Sequence, residues 1–229
     1  MKLSILIPVY NEEATLRQLV ERVLAVPYEK ELILVDDCSS DGTAAILAEL
    51  EAEHAEIEVR THAKNQGKGA AIGTAMASFT GDIVLIQDAD LEYDPGDYPV
   101  LLKPFEDGVA DVVYGSRFLG GAYSRVHLYY HYLGNRLLTT ISNIVTNLNL
   151  TDMETCYKVF SADVARKLDL KSKSFDVEPE ITCKVAKMRA RIYEVPISYA
   201  GRDYSEGKKI KPSDGIFAVW AILRWGLFG

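Results

Sequence analysis

Ile83-Val84-Leu85-Ile86-Gln87-Asp88-Ala89-Asp90-Leu91-Glu92 is the segment on which the reading of this chain turns. Four consecutive aliphatic residues suit a strand covered on both faces, as strands of a parallel sheet are. Three acids follow at alternate positions, Asp88, Asp90 and Glu92. If the backbone stays extended, alternation turns all three carboxylates the same way. Converging carboxylates repel one another unless a cation neutralises them, and hard oxygen donors favour Mg²⁺ or Mn²⁺. The plainer reading is a solvated acidic turn ending at Asp94-Pro95-Gly96.

The flanking sequence alternates between two periodicities. Leu3 to Val9, Glu31 to Asp36, Ile57 to Thr61 and Asp82 to Gln87 read as short buried strands. Leu16, Leu19, Val20, Val23 and Leu24 recur at helical spacing and predict a helix from Glu12 to Val26, with Asn11 as N-cap. Asp41-Gly42-Thr43 opens a second helix through Leu50, and a third runs from near Gly69 to Phe79. Such alternation predicts an α/β fold, a three-layer sandwich around a mainly parallel sheet, with ligands at the carboxyl ends of the strands. Beyond Asp111-Val112-Val113-Tyr114-Gly115 the pattern changes to a long aromatic helix, Leu128 to Leu148. A short helix from Glu178 to Lys187, a strand from Ile192 to Ile197 and a polar loop from Gly201 to Pro212 complete it.

Composition narrows the partners. With 229 residues, 48% of them hydrophobic, and no internal repeat or linker, the chain reads as one domain, 1–229. Its net charge of −8 argues against nucleic acid, which needs a concentrated basic surface. Cys38, Cys156 and Cys183 have no metal-site spacing and suggest a reducing compartment. The apolar start is too short for a leader and is broken by Pro8, and no run approaches the roughly 20 apolar residues of a membrane span. Ile216 to Phe228, with Trp220 and Trp225 interleaved and only Arg224 charged, suits a helix at a lipid interface or one docked on the body of the protein.

Two further clusters fall at expected strand ends. Pro8-Val9-Tyr10-Asn11-Glu12 and Asp36-Asp37-Cys38-Ser39-Ser40-Asp41 supply carboxylates and an aromatic ring suited to a ribose and base, though turns and caps alone would also use such residues. Asn65-Gln66-Gly67-Lys68-Gly69 permits close backbone approach at a helix N-terminus, which favours anionic groups. It is not a P-loop, and no GxGxxG follows the first strand, so ATPase and dehydrogenase readings weaken.

Taken with Gly115-Ser116-Arg117 and Thr151-Asp152-Met153-Glu154-Thr155-Cys156-Tyr157-Lys158, these motifs resemble family 2 glycosyltransferases of the GT-A fold. Within that family they are most similar to the polyprenyl-phosphate sugar transferases that include dolichol-phosphate mannose synthase. The resemblance implies a nucleotide-sugar-binding half, 1–115, and an acceptor-binding half, 116–229, ending in an amphipathic helix. Pro8, Tyr10, Glu12 and Asp37 would surround the nucleoside, Lys68 would lie near the nucleotide, and Asp88, Asp90 and Glu92 would hold Mg²⁺ or Mn²⁺ at the diphosphate. Ser116, Arg117 and Arg136 would receive the acceptor phosphate, an arginine fork suiting phosphate better than lysine. Arg202 and the basic stretch around Lys208 would close over the donor, or else form a solvated basic turn.

The implied reaction is a metal-dependent, inverting transfer of a hexose from GDP-mannose or UDP-glucose to a polyprenyl or dolichyl phosphate. The implied setting is cytoplasmic, peripheral at the membrane face, with a homo-oligomer or a separate membrane subunit as possible partner. A hydroxyl acceptor, soluble or polysaccharide, would need a general base, for which Asp152 is the candidate. A nucleotidyltransferase is disfavoured by Asn11-Glu12-Glu13, which stands where a glycine-rich basic signature would be. A non-catalytic nucleotide-sugar-binding subunit is disfavoured by the intact acids Asp88, Asp90 and Glu92. Phe175-Asp176-Val177-Glu178-Pro179-Glu180 also matches the sub-group, without a role for each acid.

Overall fold

A computed structural model describes residues 1–120, 128–201 and 212–228. Among the described residues seven strands form one sheet: β1 (Leu3–Val9), β2 (Lys30–Asp36), β3 (Ile57–Thr61), β4 (Ile83–Ile86), β5 (Val112–Ser116), β6 (Lys158–Ser161) and β7 (Ile192–Pro196). Their spatial order is β3-β2-β1-β4-β6-β5-β7. All pairings are parallel except those of β6, which runs antiparallel to both β4 and β5. The expected mainly parallel α/β sandwich is therefore borne out.

The helices are α1 (Leu16–Ala25), α2 (Thr43–Glu53), α3 (Lys68–Met76), α4 (Tyr98–Glu106), α5 (Tyr129–Thr146), α6 (Ala162–Ala165), α7 (Val177–Lys187) and α8 (Pro212–Leu223). Leu16, Leu19, Val20 and Val23 of α1 pack into the core with Leu3, Ile5 and Ile7 of β1 and Leu32 and Leu34 of β2. Each such fully buried side chain contributes roughly 1.5–3 kcal/mol of transfer free energy.

Two expected boundaries move. Helix α1 begins at Leu16, because Glu12 to Thr15 form a turn in which the Glu12 carbonyl accepts from Thr15 N and Leu16 N. Asn11 does not cap it; with φ of 52° it turns its side-chain oxygen to the Ser40 amide at 2.8 Å, joining the first two loops. Helix α5 stops where Asn147 takes a left-handed conformation, φ 56°, a usual way to end a helix. Strand β6 has no counterpart among the expected elements, since four residues beginning with a lysine carry little periodic signal.

Strand direction decides where the motifs gather. Parallel β1, β2, β3, β4 and β5 all deliver their carboxyl ends to one edge of the sheet. Antiparallel β6 presents its beginning there, so the residues leading into Lys158 arrive at the same edge. Gln87 anchors this edge: buried, it accepts hydrogen bonds from Tyr98 OH at 2.9 Å and Tyr157 OH at 2.7 Å.

Candidate active site

The loops after β1 and β2 interlock. Pro8 is partly buried in β1, Tyr10 is exposed, and Glu12 is buried with its amide on Thr43 Oγ1 at 2.9 Å. The Thr15 hydroxyl lies 2.8 Å from Glu12 Oε2 and 3.0 Å from the Ala89 carbonyl, which ties this loop to the acidic turn. Asp36 receives Ser39 N and Oγ, closing the turn after β2. Asp37, also buried, accepts from Gln66 N at 2.8 Å and Gly67 N at 2.7 Å, and its Oδ1 stands 2.7 Å from His62 Nδ1. A carboxylate bonding this way only accepts, so His62 Nδ1 carries the proton, and His62 Nε2 meets Thr74 Oγ1 at 2.9 Å. Asp37 thus organises the glycine loop with both oxygens.

The acidic segment departs from expectation. Strand β4 ends at Ile86 and Leu91 has φ of 61°, so Asp88, Asp90 and Glu92 do not line one extended face. Asp90 Oδ1 accepts from Glu92 N at 3.1 Å, and this local bond folds the chain into a turn. Glu92 Oε2 accepts from Tyr199 OH at 2.8 Å. Among the described residues no three His, Cys, Asp or Glu side chains gather as a ready-made metal cage.

Asp88 nonetheless holds a cation. Its Oδ1 lies 2.8 Å from Lys68 Nζ at the start of α3, and the ammonium is also 3.2 Å from Glu178 Oε1 of α7. Burial alone would lower the Lys68 pKa, but Asp88 and Glu178 outweigh it and hold the amine charged, well above its usual range. Beside them, burial and then Asp88 push the Cys156 thiol well above normal, which keeps it an inert neutral group. Partly exposed carboxylate oxygens at a strand end fit Mg²⁺ or Mn²⁺, which take one or two carboxylates and leave positions for phosphate oxygens.

Beyond β5, Arg117 and Asp152 form one unit. Asp152 is fully buried; its oxygens accept from Arg117 Nε at 2.6 Å, Nη2 at 2.7 Å and the Arg117 amide at 3.1 Å. Asn135 of α5 adds a bond at 3.3 Å, and Glu194 of β7 holds the Thr151 and Asp152 amides. With its oxygens enclosed in this way, Asp152 fixes the orientation of the Arg117 guanidinium. Ser116 is fully buried; its hydroxyl meets Thr151 Oγ1 at 2.6 Å and accepts from Phe118 N, so these bonds engage it in shaping the turn. Arg136 is exposed on α5, its guanidinium 5.8 Å from the Tyr132 ring centre. Arg202, Lys208 and His127 lie outside the described residues.

Several members of the site had no assigned role in the sequence. Lys158, completely buried, donates to Glu178 and to the Thr155 carbonyl, with its ammonium 5.1 Å from the Tyr114 ring centre. Glu154 Oε1 is buried with no hydrogen-bond partner among the described residues, and burial, then Glu178, raises its pKa to about 7. His62 could have been flagged as a histidine at the end of β3; the roles of Lys158 and Glu178 depend on β6 and α7 meeting.

The family model for glycosyl transferase family 2 matches residues 4–169, more than half of the chain. The chain belongs to glycosyl transferase family 2. This glycosyltransferase is 31% identical to the undecaprenyl-phosphate mannosyltransferase of Micrococcus luteus, over 99% of the chain and 95% of that protein. It is 28% identical to the polyprenol monophosphomannose synthase of Mycolicibacterium smegmatis, over 98% and 87% respectively. The glucosyl-3-phosphoglycerate synthase of Mycobacterium tuberculosis superposes with a TM-score of 0.74 at 20% identity, covering 98% of this chain and 79% of that one. The glycosyltransferase thus has the GT-A fold, and that relative was crystallised with Mn²⁺ and uridine diphosphate.

Proposed function

We propose that this glycosyltransferase moves a hexose from a nucleotide sugar to a polyprenyl phosphate, working peripherally at the cytoplasmic face of a membrane. The observation that carries the acceptor is the face beside Arg117. The Phe118 ring packs on Tyr132 of α5, Asn135 of α5 reaches Asp152, and the exposed Arg136 guanidinium lies 5.8 Å from the Tyr132 ring centre. The outer surfaces of α5 and α8 expose Tyr130, Leu137, Ile216, Phe217 and Trp220. A phosphate held by arginine with an isoprenoid tail on an apolar face is the ligand such a surface suits. Among the described residues no helix is long and apolar enough to cross a membrane, so this contact would be at the lipid surface.

The donor side follows from the strand-end cluster. Pro8, Tyr10 and Glu12 would surround the nucleoside, with Asp37 shaping the glycine loop beside it, and Asp88 and Asp90 would hold Mg²⁺ or Mn²⁺ against the diphosphate. That ion, when bound, neutralises charge growing on the leaving nucleoside diphosphate. Glu92 turns to Tyr199 and is the weaker candidate for a ligand. Lys68 places a further positive charge at the same point, while Arg202 and Lys208 would close over the donor. A lipid phosphate is already anionic near neutral pH, so the acceptor oxygen needs positioning and no general base. The enclosure of Asp152 supports this over a hydroxyl acceptor. Inversion by a single in-line displacement is the corresponding stereochemistry.

The test is a transfer assay with radiolabelled GDP-mannose and UDP-glucose, offering undecaprenyl phosphate and soluble sugars separately. Label partitioning into the lipid phase supports the reading; label only on a soluble acceptor overturns it.

A further inference from the structure

Helix α7 lies in the half expected to bind the acceptor, yet its first turn reaches Lys68. Glu178, buried to within 4% of its side-chain area, stands 3.2 Å from Lys68 Nζ through Oε1 and binds Lys158 through Oε2. The Lys68 ammonium is therefore gripped by two carboxylates of different character. Asp88 is partly exposed at the strand end; Glu178 is enclosed and pinned by a second, fully buried lysine.

Its neighbour Glu180 supports the same place by another route. It accepts from Lys171 N at 2.8 Å and Ser172 N at 2.6 Å and so shapes segment 171–174. The Lys173 carbonyl of that segment accepts from Ala70 N at 3.2 Å. A Cβ on Gly67 would come within 2.2 Å of the Lys173 carbonyl oxygen, and one on Gly69 within 2.4 Å of that of Ser172. The first turn of α3, with Lys68 on it, is clasped from the α7 side.

We infer that Glu178 is a positioning residue for the donor site: it keeps the Lys68 ammonium in place when Asp88 exchanges that ammonium for a divalent cation. Lys68 and a dication compete for Asp88, because two cations cannot share it without repulsion. A released lysine would ordinarily swing into water, regaining side-chain freedom. Glu178 holds it beside Asp88, where it meets diphosphate oxygens. Lys68 then serves Asp88 as counter-ion in the empty site and the donor as counter-ion in the loaded one. The inference rests on the reading of Asp88 as a metal-holding residue.

Mn²⁺ binding, measured by calorimetry on the full chain without nucleotide, tests both. Binding that disappears in Asp88→Asn supports the metal reading; no binding to the wild-type protein overturns that reading and the inference with it. Given binding, Lys68→Met is expected to tighten Mn²⁺ about five- to tenfold by removing the competitor, while weakening uridine or guanosine diphosphate in the presence of Mn²⁺. Glu178→Gln is expected to weaken Mn²⁺ about fivefold, since Lys68 then falls wholly to Asp88, and to lose most of that effect in the Lys68→Met background. Glu178→Gln strands the buried Lys158, so Lys158→Met/Glu178→Gln, with no orphaned charge, is measured in parallel. An unchanged Mn²⁺ affinity in Lys68→Met, or an equal effect of Glu178→Gln in both backgrounds, overturns the role with the metal reading intact.

Discussion

Arg117 and Asp152 meet edge to edge, Nε at 2.6 Å and Nη2 at 2.7 Å from the two carboxylate oxygens, with the aspartate fully buried. Removing one member of a buried pair leaves a charge without a partner. Asp152→Ala is therefore expected to destabilise the protein by roughly 3–5 kcal/mol, read by urea unfolding. Arg117→Met/Asp152→Leu should recover most of that loss and still fail to transfer sugar. Recovery of transfer in the double variant would separate Arg117 from the acceptor.

The two ends of the acidic turn differ in what they touch. Asp88→Asn is expected to lower turnover about a thousandfold, as loss of a main electrostatic contact does. Glu92→Gln keeps a partner for the Tyr199 hydroxyl and should cost about tenfold or less. EDTA should stop transfer by the wild-type enzyme, and Mn²⁺ or Mg²⁺ should restore it. The check is steady-state release of nucleoside diphosphate.

Gly67 combines a φ of 95° with the Lys173 carbonyl lying where a Cβ would go. Gly67→Ala meets both backbone strain and a clash with backbone that cannot swing aside. A loss of roughly 2–4 kcal/mol is expected by urea unfolding, with a raised KM for the donor. Gly73 has open space around it, and Gly73→Ala in the interior of α3 should be neutral or stabilising by up to about 1 kcal/mol.

Glu154 gives a pH signature. Its carboxyl titrates at about 7 in the fold against an ordinary value of 4.5, raised by burial and by Glu178 despite Lys158 and Arg117. The folded state binds this proton more tightly, so the contribution is complete below pH 4.5 and is lost as pH rises through 7. Glu154→Gln should unfold at higher urea than wild type at pH 8, by roughly 1–3 kcal/mol, with the difference shrinking toward pH 5.

Trp220 and Phe217 are more than half exposed on α8, so Phe217→Ser/Trp220→Ser removes little from the core. Stability should change by less than about 1 kcal/mol, while sedimentation with vesicles containing anionic lipid should fall severalfold. Unchanged sedimentation would detach this face from the membrane.

The sequence by itself determined the layered sheet and the edge where the site lies. Apolar runs such as Leu3 to Val9 and Ile83 to Ile86 and the helical spacing of Leu16 to Leu24 are local signals, and right-handed crossovers leave few arrangements for them. The positions of Tyr10, Asp37 and Asp88 at strand ends, and of Lys68 near the start of a helix, followed directly. Family motifs supplied the chemistry, and the match over residues 4–169 agrees with them.

Tertiary structure alone decided which of those groups touch. Asp90 bonds the Glu92 amide and Leu91 turns left-handed, so the three acids do not line the single extended face that period-two counting assumes. Asp152 reaches Arg117 because β6 enters the sheet antiparallel between β4 and β5, bringing the segment before it to the carboxyl edge. Glu178 reaches Lys68 because α7 packs over that same edge. Periodicity records only which side of its own element a residue occupies; partners from distant segments are set by the packing of the whole core.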